Sequence, residues 1–100
     1  MLQAQIFIDK DELKDSQSLY EFILQFLIRQ KIKGATVFQG RLGYGENQRL
    51  NRPDALFSFD ETPMMITFID EDEKVKSTLK ALRKEIKSGF IITNQVETWK

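Results

Sequence analysis

The sequence predicts an α+β protein in the order β, α, β, long loop, β, α, β: a four-stranded antiparallel sheet with two helices on one face. Two apolar stripes at helical spacing fall between segments of strand character, and that alternation of elements is the first observation. The second is the strict two-residue alternation in Leu2–Asp9. The third is a polar, glycine-rich stretch at 41–54 that separates two matched halves.

In Leu2–Asp9, Leu2, Ala4, Ile6 and Ile8 fall on one face and Gln3, Gln5 and Phe7 on the other, the mark of a half-buried strand. Residues 10–17 are polar and read as a connection. Ser18 with Glu21 three residues on is a capping-box signature, and Leu19, Phe22, Ile23, Phe26 and Leu27 form the stripe of the first helix. Gly34, after Lys31 and Lys33, is the expected C-terminal cap. Residues 35–40 (ATVFQG) read as the second strand. In 41–54 the pattern breaks at Gly43, Gly45, Asn47, Asn51 and Pro53, and 55–59 is a short extended piece. Pro63 leads into the third strand, 64–70 (MMITFID). The second helix opens on residues 70–73, carries Val75, Leu79, Leu82 and Ile86 on one face, and ends at Gly89. Residues 90–97 (FIITNQVE) form the last strand, followed by Trp99 and Lys100. This βαββαβ order is the ferredoxin-like arrangement.

A chain of 100 residues fits one domain, taken here as 1–100. A domain of that size buries roughly two-thirds of its unfolded surface, enough to fold alone with little surplus. Fifteen Lys and Arg balance fifteen Asp and Glu, so the formal net charge is zero, which argues against a general nucleic-acid binder. No cysteine is present, so disulfides, thiolate metal sites and cysteine nucleophiles are excluded. The absence of histidine removes the commonest general base and a common metal ligand. The first residues lack the form of a signal peptide, and no stretch approaches the roughly 18 apolar residues of a membrane span. The expectation is a cytoplasmic protein that is not an enzyme and does not insert into membranes.

Two helices cover only one face of a four-stranded sheet. The other face is expected to carry Phe7, Phe38, Met65 or Ile69 and Ile91, interleaved with Gln3, Gln5, Thr36, Thr67 and Thr93. An apolar patch that contains aromatics marks an interface, so homo-oligomerisation through the sheet is expected.

The run GATVFQGRLGYG (34–45), then Arg49, Leu50 and Asn51, then DETPMMITFID (60–70) followed by a helix and a short strand, resembles the "domain of unknown function 190" family, a branch of PII-like proteins. The resemblance covers essentially the whole chain. It implies a PII-type homotrimer with sheets facing inward and a long regulatory loop between the second and third strands. It also implies a small effector in clefts between subunits, with AMP, ADP or ATP as candidates. In PII proteins the start of that loop is glycine-rich and a second loop after the second helix completes the phosphate site. The matching positions are Gly43 and Gly45, and Ser88 to Phe90. Members of this group are often encoded near fluoride-exporter genes, so the resemblance implies a membrane transporter or another regulated protein as partner. The chain departs from the pattern at Asn51 and Arg52, where histidine and threonine are usual, and carries no C-terminal phosphate-clamping arginines.

The residues that carry binding chemistry are therefore Arg41, Gly43, Tyr44, Gly45, Arg49, Arg52, Ser88 and Gly89. Glycines admit backbone N–H groups close to an anion, and arginines present forked donors to phosphate. The plainer reading of the same loop is a solvated turn. Asp70, Glu71, Asp72 and Glu73 resemble a metal cluster, but acidic residues at a helix start are favoured by the helix dipole, and no metal site is assigned. Tyr20 reads as a helix-face residue, Tyr44 as a base-stacking candidate and Trp99 as an interface anchor. The leading expectation is a PII-like signalling protein. The alternative is a structural or adaptor oligomer that docks a partner protein through its loop with no small ligand.

Overall fold

The computed structural model describes residues 1–40 and 63–99. The main strands are β1 (Leu2–Asp9), β4 (Ala35–Gln39), β5 (Pro63–Asp70) and β6 (Phe90–Gln95), and the helices are α1 (Leu19–Arg29) and α2 (Asp72–Glu85). They form one antiparallel sheet of order β4-β5-β1-β6, so the two central strands are those with the longest alternating patterns. This is the ferredoxin-like arrangement the sequence predicts. No helix among the described residues is long and apolar enough to cross a membrane.

The core lies between the sheet and the helices. Leu2, Ala4, Ile6 and Ile8 of β1 and Met64, Ile66 and Phe68 of β5 face Leu19, Ile23, Phe26 and Leu27 of α1 and Val75 and Leu82 of α2. Ala4, Ile6, Ile23, Ile66, Val75 and Leu82 are fully enclosed. Burying a side chain of this size contributes roughly 1.5–3 kcal/mol for the larger aliphatics.

The helix ends are built differently from the expectation: α2 stops at Glu85, where the backbone turns extended at Ile86, and not at Gly89. Ser18 does occupy the N-cap of α1, but no side-chain capping bond forms there, so the capping box is absent. Instead the entry is held by a small hairpin, β2 (Leu13–Lys14) with β3 (Gln17–Ser18), inside the stretch expected to be a plain connection. Its turn uses Asp15 at φ 58, a residue type that tolerates the left-handed region. The Leu19 N–H donates to the Glu12 carbonyl at 2.8 Å, and Lys14 stands 5.7 Å over the Phe22 ring.

At the C-terminus of α1 the left-handed residue is Lys31 (φ 64), not Gly34. The Ile32 N–H donates to the Leu27 carbonyl (3.1 Å) and the Lys31 N–H to the Ile28 carbonyl (2.9 Å), the paired bonds of a Schellman motif. Buried Ile32 supplies the apolar contact that normally accompanies this motif, which explains why the turn closes here rather than at the glycine. The Lys74 ammonium reaches across to the Lys31 carbonyl and fastens α2 to this corner.

Register fixes the open face. Gln3, Gln5 and Phe7 stand opposite Ile69, Thr67 and Met65 of β5 and Asn94, Ile92 and Phe90 of β6. Phe38 and Thr36 of β4 face Met65 and Thr67. Both Met65 and Ile69 therefore lie on the open face. Ile91 and Thr93 do not: they pair with Ile6 and Ala4 on the helix side, and Phe90, Ile92 and Asn94 take the places expected of them. The expectation for β6 was displaced by one residue.

Candidate functional site

Cross-strand pairing aligns the open face into rows. One row crosses all four strands as Phe38, Met65, Phe7 and Phe90. Phe38 is 53% exposed and Phe90 66%, although both are large and apolar. The Phe7 and Phe90 rings meet at 6.2 Å between centroids with a 43° tilt. The next row is Thr36, Thr67, Gln5 and Ile92, and the third holds Ile69, Gln3 and Asn94. Gln3 donates to the Thr67 hydroxyl at 3.1 Å and Gln5 to the Met65 sulfur at 3.4 Å. None of the residues in these three rows is charged. A wet surface of this make-up gains from burial and carries polar groups able to pair across a contact.

The aromatic row lies near one end of the sheet, where two other features converge. Gly40, just past β4, donates its N–H to the Pro63 carbonyl at 2.8 Å. A Cβ on Gly40 would stand 2.8 Å from the Pro63 ring, so only glycine permits this approach. Gly40 and Pro63 are therefore held together at one point of the sheet, a single root. Pro63 pairs with Asp9 at the end of β1, and the turn after α2 enters β6 at this same end. β4 and β6 are the two edges, three strand steps apart, or about 14 Å at 4.7–4.9 Å per step.

The turn after α2 has a specific construction. Gly89 sits at φ 90, and a Cβ there would stand 3.2 Å from Ile8 Cγ2. Arg83, in the last turn of α2, donates through Nη1 to the Ser88 carbonyl and through Nη2 to the Gly89 carbonyl, each at 2.7 Å. Both geometry and charge favour a guanidinium here, since its two nitrogens match two acceptors in a plane.

At the opposite end, Asp70 is 1% exposed and accepts from the Glu71 N–H (2.8 Å) and the Lys33 N–H (3.3 Å), with the Lys74 ammonium at 3.5 Å. Burial pushes its carboxyl up, but the two N–H donors and the lysine together outweigh burial and hold it below its ordinary 3.8. Asp72 accepts from Gln95 at 2.7 Å and pairs with the Met1 amino group at 3.2 Å; the Gln95 bond first, then the amino group, lower its carboxyl. These two carboxylates thus join α2 to the sheet, in keeping with the structural reading of the acidic run.

Of the binding residues expected from the sequence, Ser88 and Gly89 form the turn just described. Arg41, Gly43, Tyr44, Gly45, Arg49 and Arg52 lie outside the described residues, as do the extended piece 55–59 and Asp60 with Glu61. Phe90, the last of the positions matched to the second loop, opens β6, and Arg83 was not among the expected site residues. Tyr20 is half-buried on α1, and Trp99 is exposed.

The DUF190 family model, described as Uncharacterized ACR, matches residues 1–98. A UPF0166 protein of Aquifex aeolicus (strain VF5) is 28% identical over 92 residues, covering 92% of this chain and 87% of the relative. A UPF0166 protein of Methanocaldococcus jannaschii is 28% identical over 96 residues, covering 95% and 88%. Among solved structures, the chain is similar to CPII, a nitrogen regulatory PII-like protein from Thiomonas intermedia K12 bound to ADP, AMP and bicarbonate. The TM-score is 0.67 at 20% identity, over 93% of this chain and 82% of that one. CPII bound to ADP, AMP and acetate gives 0.69 at 19% identity, over 99% and 88%. At such identity the likeness establishes a shared fold.

Proposed function

The chain belongs to the DUF190 family and has the fold of PII-like proteins, and from that premise we propose that it is a PII-like regulator that binds an adenine nucleotide or a similar anion between subunits of a homotrimer. The site is formed by the 41–54 segment, with Arg41, Gly43, Tyr44, Gly45, Arg49 and Arg52, and by the turn containing Ser88 and Gly89. Occupancy of the site alters how 41–54 engages a partner protein.

One observation carries this reading. The root at Gly40 and Pro63 and the turn at Ser88 and Gly89 emerge from the same end of the sheet but on opposite sides of it. In the cyclic assembly we propose, the β4 side of one copy would stand beside the β6 side of the next and join the two halves in a cleft. The open face, whose three described rows are uncharged and bear aromatics, supplies the contact such an assembly needs. Further support comes from CPII, which shares the fold and binds ADP and AMP.

Calorimetry with AMP, ADP and ATP tests the proposal. Binding by the wild type is expected, and Arg49→Ala should weaken it by about 1.5–3 kcal/mol, the scale of a charge-assisted hydrogen bond. No heat with any adenine nucleotide at millimolar concentration would remove the nucleotide from the reading.

A further inference from the structure

We infer that Arg83 is a positioning residue: it holds the turn after α2 so that the backbone N–H of Gly89, and not the carbonyl oxygens of the turn, faces an anionic ligand. The inference rests on the nucleotide reading above and names the device that makes this half of the site receptive to phosphate.

In an extended strand successive carbonyls point to opposite sides, so one side chain cannot take two in a row. Here the carbonyls of Ser88 and Gly89 both reach one guanidinium at 2.7 Å. The residue between those two peptides is Gly89, and its φ of 90 is the departure from extended backbone that lets both carbonyls turn the same way. In a planar trans peptide the N–H points opposite to the C=O. Drawing both carbonyls onto Arg83 therefore turns the Gly89 N–H away from it, while Phe90, opposite Phe7 in the ladder, directs its own N–H to β1.

Charge acts in the same direction. The C-terminal end of α2 presents carbonyl oxygens and a partial negative charge, an unfavourable neighbour for phosphate. Arg83 places a full positive charge in that last turn and covers two further carbonyls. A lysine there keeps the charge but not the planar fork, so it cannot hold both oxygens at once. The turn also packs closely on the end of β1, where a Cβ at Gly89 would meet Ile8 Cγ2 at 3.2 Å and the Phe7 carbonyl at 3.6 Å. The contact limits the other conformations open to it.

The test uses the full chain with Arg83→Lys and Arg83→Gln. Affinities for ADP and adenosine are measured by calorimetry, and amide hydrogen exchange at Gly89 and Phe90 is followed without nucleotide. Expected are at least tenfold weaker ADP binding by both variants and faster exchange in the turn. Adenosine should behave with each variant as it does with the wild type, because only the phosphates meet the turn. ADP binding unchanged in Arg83→Lys overturns the inference, whether or not exchange quickens. Parallel losses of ADP and adenosine also overturn it, since they mark a general structural effect. Wild-type protein that binds neither compound defeats the nucleotide reading itself, a result distinct from normal wild-type binding with unaffected variants. Should Arg83→Gln fail to fold, Arg83→Lys, which keeps the charge and much of the stem, carries the comparison.

Discussion

The two faces of the sheet are written by the same alternation, yet they are different kinds of surface. On the helix side, Ala4, Ile6 and Ile66 are sealed from water, and the buried carboxylate of Asp70 has donors for both oxygens. On the open side, Phe7, Phe38 and Phe90 stand among Gln3, Gln5, Thr36, Thr67 and Asn94. The first face is finished within one chain. The second combines large apolar groups with uncharged polar groups that can donate and accept, which suits a surface buried against another copy. A core needs only shape and apolar area, whereas an interface must also remain soluble before it is covered.

The sharpest way to break this contrast is to damage each face in turn. Ile66→Ala should cost about 2–5 kcal/mol in denaturant unfolding, because it opens a cavity among enclosed side chains. Phe38→Glu, on the open face, should instead divide the assembly, since burying an unpaired carboxylate is costly. Equal effects of both changes on the folding of an isolated chain would erase the distinction.

Asp70 tests whether the covered face tolerates a polar group only when it is fully bonded. Asp70→Asn leaves one N–H donor facing an amide NH2 and should cost about 1–3 kcal/mol. The sign with pH follows from the lowered carboxyl. Its contribution is complete above the ordinary value of 3.8 and is lost as pH falls through the lower folded value. The stability gap between wild type and variant should thus stay flat from about pH 7 to pH 5 and shrink only below 3.8. A gap that closes near neutral pH would contradict the assignment.

Two backbone changes have smaller expected effects. Gly89→Ala forces a side chain into the left-handed region against Ile8 and should destabilise by about 1–2 kcal/mol. Lys31→Gly relieves a strained corner on the covered side and should stabilise by about 0.5–1 kcal/mol, the strain removed less the entropy glycine adds to the unfolded chain. Thermal or denaturant unfolding reads both, and a stabilising Gly89→Ala would remove the argument for that turn.

The same contrast governs what was legible in the sequence. β1 could be read with its faces because its sequence alternates over eight residues, whereas β5 has apolar residues on both faces, and only pairing with β1 puts Met65 and Ile69 together on the open one. β6 could not, because Phe90, Ile91 and Ile92 are apolar in succession, and only pairing with β1 shows which of them is covered. Gly34 looked like the stop of α1 because glycine enters the left-handed region freely. The stop is Lys31, where buried Ile32 closes the turn. The hairpin at 13–18 escaped notice because its strands are two residues long and carry no alternation. In the candidate site, Gly89 was visible as a glycine between helix and strand. Arg83 was not, since a basic residue in the last turn of a helix already has an explanation in the helix dipole.

The central claim is that the open face is a self-association surface, and static light scattering at micromolar concentration tests it most directly. The account predicts a homotrimer, three times the 11.7 kDa chain, that Phe38→Glu divides. A wild-type mass of 11.7 kDa would contradict it.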